Sequence, residues 1–288
     1  MSAAHADDLH PVDALEIRLQ QARAVDPADV FPADRATHMA TALEIMALRW
    51  IWSRDRGEDL FDRHPALRMA PSLVRLRSNG DRLALFRLGP ASNQEGRGCL
   101  NLGSAEVLEI PPSGDGWRPG APMMLAQQDF SRKLRRRGLP RLLAAGLAGA
   151  FDEMASNARE HSQTEVPPVA CLQVEPGYWA FSVTDVGRGA LSSLRENPKF
   201  ESLRSESWAL KWALQDGVSR HSDPGRGRGF GSVFKALVDR SAVLRFRSGG
   251  ASGRWTGTSP TAQQIVVQAL PVSKVGGFHV CVEGRIAS

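Results

Sequence analysis

The sequence predicts an α+β fold, and its clearest helix and strand signals lie in the second half of the chain. Apolar side chains recur at helical spacing over residues 139–162, which predicts one long helix. Two apolar segments near 169–175 and 178–185 follow it and are typical of paired strands. Later in the chain the same patterns predict helices over 201–215 and 231–239 and strands near 242–248, 263–270 and 278–283.

The length of 288 residues allows one large domain or two of ordinary size. We expect a boundary near residue 130. Residues 1–130 are predicted to form a smaller α/β accessory or regulatory domain, with helices over 13–25 and 34–54. A β-hairpin region follows these helices, because an Asn-Gly pair at 79–80 separates two segments of alternating polarity. Residues 131–288 are predicted to form the functional domain.

Charge is distributed unevenly along the chain. The formal net charge is +5, with −6 in residues 1–62, +7 in 63–138 and +4 in 139–288. This distribution excludes a uniformly basic surface, so nucleic acid is not the favoured partner. The basic run at 131–138 is predicted to be a solvated helix end closed by Gly138, with a phosphate or acidic-partner contact as the alternative.

Cysteine usage and hydropathy predict a cytoplasmic protein without a membrane segment. The chain has three widely spaced cysteines and no C-x-x-C pair, so neither a zinc site nor a disulfide framework is expected. The polar residues 1–10 do not resemble a signal peptide. No uncharged apolar run reaches the length of about 18 residues that a membrane-spanning helix needs.

The first motif lies on the predicted long helix. Glu153, Asn157 and His161 are spaced by four residues, so they form one stripe beside the apolar face. A carboxylate, an amide and an imidazole at the edge of a core need polar partners. The stripe is therefore a candidate site, and the alternative is a polar face at the core boundary.

The second motif follows the predicted strand near 178–185. Asp185 ends that strand, and Gly187 and Gly189 come directly after it. A carboxylate in this position can accept a hydrogen bond from an exocyclic amine, while the glycines let the backbone approach a flat ring. The alternative is an ordinary strand-to-loop turn, which Asp-x-Gly often makes.

The third motif is a glycine-rich segment that precedes a predicted helix starting near Ser232. Its backbone N–H groups and the positive end of the helix dipole would suit phosphate. It has neither the Gly-Lys-Ser/Thr ending of a Walker loop nor the preceding strand of a dinucleotide-binding turn. The alternative is a plain connecting loop. The glycines are Gly225, Gly227, Gly229 and Gly231.

In this order the three motifs resemble the GHKL superfamily, the histidine-kinase-like ATPases with the Bergerat ATP-binding fold. The matching patterns are Glu-x-x-x-Asn, Asp-x-Gly-x-Gly and Gly-x-Gly-x-Gly, and the resemblance covers residues 139–271. A Gly-Thr pair at 257–258 also matches the family. The resemblance implies a C-terminal Bergerat-type α/β sandwich, a mixed sheet covered on one face by helices, that binds ATP and Mg²⁺.

The resemblance also implies roles for individual residues. Asn157 would coordinate Mg²⁺, and Glu153 would orient or deprotonate the attacking water. Asp185 would hold the adenine amine, supported by Thr258. The nucleotide-binding set further includes His161, the pocket-shaping glycines Gly187 and Gly189, and the lid glycines Gly225, Gly227, Gly229 and Gly231.

Two departures from the family narrow the expected activity. Glu160 stands where histidine kinases carry a basic residue, so a phosphate contact is either missing or supplied by Arg159, Arg226 or Arg228. Among the histidines only His38 lies on a predicted upstream helix, and no acidic residue follows it. Histidine autokinase activity is therefore disfavoured.

The sequence thus predicts a Mg·ATP-binding protein in which lid closure on ATP, with slow hydrolysis, acts as a switch on a protein partner. The partner is expected to contact residues 1–130, and a homo-oligomer is compatible with the sequence. One alternative is a protein serine kinase of the anti-sigma type, which the segment Asn157–Ser162 also resembles. The other is a nucleotide-dependent scaffold without hydrolysis.

Overall fold

The computed structural model describes residues 39–65, 67, 73, 99–111, 120–215, 229–238, 242–256, 265–269 and 275–286. In this part of the chain an antiparallel sheet carries helices packed against it, which confirms the predicted α+β class. The predicted helix over 13–25 and the hairpin turn at 79–80 lie outside the described residues.

The long helix predicted over 139–162 is confirmed, with bounds that differ by one or two residues. The helices are α1 (Met39–Arg56), α2 (Leu60–Arg63), α3 (Pro122–Arg136), α4 (Arg141–His161), α5 (Gly189–Leu194), α6 (Glu206–Ala213) and α7 (Gly229–Leu237), with a 3-10 turn at Pro198–Phe200. The basic run is the solvated end of α3, because Arg135 and Arg136 are exposed there and Gly138 follows with a φ of +96°. Basic side chains at this end also favour the helix dipole.

The strands form one sheet in the order β1-β2-β3-β4-β8-β5-β6-β7, and each neighbouring pair is antiparallel. They are β1 (Cys99–Asn101), β2 (Ala105–Glu109), β3 (Val169–Glu175), β4 (Tyr178–Thr184), β5 (Ala242–Gly249), β6 (Ala251–Thr256), β7 (Val266–Ala269) and β8 (Val275–Arg285). The expectation of a mixed sheet is therefore wrong for the described strands. Strands β4 and β5 run in the same direction, but β8 inserts between them and pairs antiparallel with both.

Helices cover both faces of this sheet, whereas the resemblance implied helices on one face only. The side chains of β3 alternate between two cores: Ala170 and Leu172 pack with α3, α4 and α7, while Val169 and Cys171 pack with α1. The expectation of a single covered face is therefore wrong. The physical reason is that β3 and β4 are apolar on both sides, so each face needs a covering layer.

Segments from both sides of the expected boundary at residue 130 share the sheet. Strand β2 pairs with β3, so residues 105–109 extend the sheet formed by the second half of the chain. Helix α1 packs against that same sheet, and helix α3 spans residue 130 itself. Within the described residues, no helix combines the length and apolar character needed to cross a bilayer.

Candidate functional site

The first motif lies on α4 at the border of the core, as its spacing predicts. The inner face of the helix is buried through Phe151, Met154 and Ala158. The α4 stripe, which consists of Glu153, Asn157 and His161, lies beside this face. Glu153 is exposed, and the other two are partly buried. Successive members are about 6 Å apart along the axis, since a helix rises 1.5 Å per residue.

The second motif forms a buried turn, which we call the Asp185 turn (residues 185–189). The Gly187 N–H donates to Asp185 Oδ1 at 2.9 Å, and the Asp185 N–H donates to the carbonyl of Phe278 at 2.9 Å. Burial raises the pKa of the Asp185 carboxyl to about 7, although hydrogen bonds from the backbone of Gly187 and Phe278 oppose this rise. The carboxyl therefore changes charge near neutral pH.

The end of α4 contacts the Asp185 turn directly. The Arg188 N–H donates to the carbonyl of Ser162 at 3.1 Å, and Arg188 Nε donates to the carbonyl of His161 at 3.2 Å. A Cβ placed on Gly187 would overlap the carbonyl of Ser162, so this approach requires glycine. The first two motifs are thus in contact at His161, and Asn157 lies one helical turn away from that contact.

Sequence reasoning missed a third backbone segment at this place, the start of β8. Gly277 has a φ of +89°, and a Cβ there would overlap the carbonyl of Asp185. The Ser248 hydroxyl donates to the Gly277 carbonyl at 3.0 Å and accepts from the Ala190 N–H at 2.8 Å. The available signal was the glycine pair at 276–277, which directly precedes an apolar segment.

The third motif is only partly described. Gly229 and Gly231 lie in the first turn of α7, which begins two residues earlier than the predicted helix over 231–239. The reason is that the apolar spacing of α7 continues back to Phe230, whose ring lies 5.3 Å from that of Phe246 and anchors the helix start. Gly225, Gly227 and Thr258, which were predicted to bind nucleotide, lie outside the described residues.

The start of α7 packs against Phe278, which is hydrogen-bonded to the Asp185 turn. The ring of Phe230 is 6.2 Å from the ring of Phe278, whose carbonyl accepts the Asp185 N–H. The first N–H groups of any helix lack partners within that helix, so this end of α7 has backbone donors of the kind that bind anions. The end of α4 therefore contacts the Asp185 turn directly, and the start of α7 is linked to the turn through Phe278.

The donor set at this meeting point suits a nucleotide and a hard cation. The buried Asp185 carboxylate can accept a hydrogen bond from an amine, and the Asn157 amide oxygen is a ligand type that Mg²⁺ prefers. Among the described residues, no group of three or more acidic, histidine or cysteine side chains could hold a metal on its own.

The close packing of Gly277 at the start of β8 can be tested by substitution. Gly277→Ala is expected to destabilise the protein by about 2–4 kcal/mol, because the new Cβ is both strained and overlapped with backbone. Gly149→Ala is the matched control. Gly149 is helical with open space around its missing Cβ, so this change is expected to stabilise by about 0.5–1 kcal/mol. Urea unfolding measures both changes, and equal stabilities for the two variants would contradict the described packing.

Comparison of the chain with protein-family models finds no match, and comparison with curated proteins finds none either. The interpretation of the site therefore depends on the three motifs and on the contacts described above.

Proposed function

We propose that this protein binds Mg·ATP where the α4 stripe, the Asp185 turn and the start of α7 meet. One observation supports the proposal most strongly. The end of α4 contacts the Asp185 turn directly, and the start of α7 packs through Phe230 against Phe278, whose carbonyl accepts the Asp185 N–H. Ser162 at the end of α4 and Phe278 beside α7 both touch the turn.

Each described residue would have a separate task toward the nucleotide. The Asp185 carboxylate accepts a hydrogen bond from the exocyclic amine of adenine, and its burial strengthens this bond by excluding water. The Asn157 amide oxygen holds Mg²⁺, and the first turn of α7 donates backbone N–H groups to phosphate. When bound, Mg²⁺ supplies neutralisation of the phosphate charge.

Hydrolysis is the proposed activity, with Glu153 as the general base. Its exposed position on α4, one turn before Asn157, leaves the carboxylate open to solvent. A carboxylate there accepts a proton from water as the water attacks the terminal phosphate, and ADP and phosphate are the products. We propose slow turnover, with lid closure on ATP acting as a switch on a protein partner.

Glu153→Gln is expected to retain Mg·ATP binding and to lower the rate of phosphate release by about 10²- to 10⁴-fold, the usual contribution of a general base. The measurement pairs equilibrium binding with a phosphate-release assay. The control is Glu201→Gln, which makes the same charge change at an exposed residue outside the site. Unchanged turnover in Glu153→Gln would remove Glu153 from the mechanism.

The same assay distinguishes the alternative activities. With labelled ATP, an ATPase releases phosphate, a protein serine kinase labels a protein partner, and a scaffold binds ATP but does neither. A cell extract supplies the partner for the kinase arm. We propose hydrolysis because the exposed carboxylate of Glu153 lies one helical turn before Asn157.

We further propose that the protein acts in the cytoplasm and that a protein partner contacts residues 1–130. All three cysteines lie in described residues and are free, which suits a reducing compartment. Helix α1 packs on the sheet that carries Asp185, so a partner bound to the first part of the chain would be close to the proposed nucleotide site.

A further inference from the structure

A buried chain of polar side chains crosses the interface between α1 and the sheet. Glu44 is the one charged residue on the buried face of α1 and is only 5% exposed. Its two carboxylate oxygens accept hydrogen bonds from Arg245 Nη1, at 2.7 and 2.6 Å. The same carboxylate lies 3.3 Å from His279 Nε2, and His279 Nδ1 lies 2.6 Å from the Thr184 hydroxyl. We call Glu44, His279 and Thr184 the α1 relay.

Chemistry fixes the direction of the hydrogen bonds in the α1 relay. An ionised carboxylate only accepts, so the proton between Glu44 and His279 belongs to Nε2. In the neutral imidazole the other nitrogen is then an acceptor, and the Thr184 hydroxyl donates to it. Burial lowers the pKa of His279 to about 4, which keeps the ring neutral at physiological pH.

A hydroxyl, an imidazole and a carboxylate joined in a row resemble a catalytic triad, with Thr184 as nucleophile, His279 as base and Glu44 as acid. The α1 relay is nevertheless unsuited to catalysis. A histidine with a pKa of about 4 is a weak base, and the Glu44 carboxylate is already engaged by Arg245. The Thr184 side chain is also 1% exposed, so no substrate reaches it. The geometry instead suits a role in holding its neighbours in place.

Thr184, the member of the relay farthest from α1, directly precedes the Asp185 turn in the chain. Thr184 is the last residue of β4, and it pairs in register with His279 of β8. The chain neighbours of this pair are Asp185 and Phe278, which are joined by a backbone hydrogen bond. A small cleft separates α1 from the end of β4 and the start of β8. Its lining includes Glu44, Thr184, Asp185 and Gly277.

We propose that Glu44 is a positioning residue for the proposed nucleotide pocket. Acting through His279 and Thr184, it holds the end of β4, the point at which Asp185 begins its turn. Helix α1 would then be part of the pocket's support and not a detached accessory element. This inference rests on the proposed function, since its effect is on nucleotide affinity.

The energetics of burial explain why α1 would act on the turn. Glu44 and Arg245 are both nearly inaccessible, and a buried charge that loses its partner is strongly unfavourable. Any shift of α1 that separates Glu44 from its partners therefore carries a penalty. The hydrogen-bonded relay transmits such a shift to Thr184 because its members are rigidly packed.

Thr184→Val tests the relay most gently, because it removes the hydroxyl and keeps the β-branched shape that suits a strand. We expect the Kd for Mg·ATP to rise about fivefold to tenfold, the effect of one lost hydrogen bond. We also expect faster amide exchange at Gly187, whose N–H is bonded to Asp185. Thr184→Ser keeps a hydroxyl and is expected to restore both properties.

The α1 end of the relay is tested by Glu44→Gln combined with Arg245→Met, which avoids leaving a buried guanidinium without its counter-charge. This double variant is expected to change the Kd and the Gly187 exchange in the same direction as Thr184→Val. Asp59→Asn is the matched control. It removes a carboxylate that binds Arg49 of α1 at 2.7 Å, and neither residue belongs to the relay, so it tests the attachment of α1 apart from the relay.

The outcomes separate this inference from the proposed function. If the parent protein does not bind Mg·ATP, the proposed function fails, and Gly187 exchange still tests the relay. The inference would be overturned if Thr184→Val and the double variant both kept the Gly187 amide exchange rate and the Kd for Mg·ATP of the parent protein. It would equally be overturned if Asp59→Asn reproduced the effects of Thr184→Val, because general loosening of α1 would then explain them.

Discussion

Asp185→Asn is expected to weaken Mg·ATP binding by about 10- to 100-fold, the cost of a lost hydrogen bond to a charged group, and to stabilise the nucleotide-free protein at pH 8. In the proposed complex the carboxylate would accept a hydrogen bond from the adenine amine, and an amide in its place would accept less strongly. Asparagine keeps an oxygen for the Gly187 N–H, so the turn itself is retained. The two opposite effects together would identify a group that is kept for binding at the expense of stability.

The sign of the stability effect follows from the pKa of Asp185. Its folded-state value is about 7 and its ordinary value is 3.8, so folding favours the protonated carboxyl. That contribution is complete below pH 3.8 and is lost as the pH rises through 7. A shift of three pKa units corresponds to about 4 kcal/mol, which sets an upper scale for the penalty of burying the ionised group.

Thermal unfolding at pH 5 and pH 8 measures this penalty. The advantage of Asp185→Asn over the parent protein is expected to grow with pH, because only the parent must bury an ionised carboxyl. Asp55→Asn is the control, since it makes the same charge change at an exposed residue. A stability difference that does not change with pH would contradict the burial of an ionisable Asp185.

Asn157→Ala is expected to remove the Mg²⁺-dependent part of ATP binding. The loss should reach at least about 100-fold, because even outer-shell partners of a metal ligand typically contribute 10–100-fold. Alanine has a higher helix propensity than asparagine, so α4 itself should not be weakened. Lost affinity would therefore report on the ligand and not on folding.

Titration of ATP with and without Mg²⁺ makes this measurement specific. The parent protein without Mg²⁺ and the variant with Mg²⁺ should bind ATP with similar affinity. If the variant responds to Mg²⁺ as the parent does, Asn157 is not a ligand. A circular dichroism spectrum that matches the parent verifies that α4 is intact.

The local elements of the second half were predictable because their side chains follow simple periods. The 3.6-residue period of α4 runs without interruption through Phe151 and Ala158, and its border then fixes the position of Asn157. Strands β3 and β4 are apolar and are separated by a two-residue turn at Gly177, so the sequence predicted both. These patterns depend only on neighbours along the chain.

The order of strands and the covering of the sheet depend on residues far apart in sequence. The insertion of β8 between β4 and β5 brings His279 beside Arg247 and Thr184, and no local pattern reports such a pairing. The second covered face did leave a signal, because β3 and β4 are apolar at nearly every position. An antiparallel strand with one face in water would alternate with polar residues.

The motif residues of the candidate site could be predicted from the sequence, but the residues that pack around them could not. Asp185 stood out through the two glycines that follow it, whereas Gly277 joins the site only through the pairing of β8 with β4. Glu44 was visible as a carboxylate within the apolar part of a predicted helix. Its partners could not be named, because Arg245 and His279 lie about two hundred residues later in the chain.

The most direct test is a calorimetric titration of the full chain with Mg·ATP, compared with Asp185→Asn and Asn157→Ala. We predict saturable binding of one nucleotide per chain, weakened in both variants, with ATP preferred over GTP because GTP has no exocyclic amine at the matching position. Absence of binding by the parent protein at millimolar ATP would contradict the account. So would equal affinity in all three proteins.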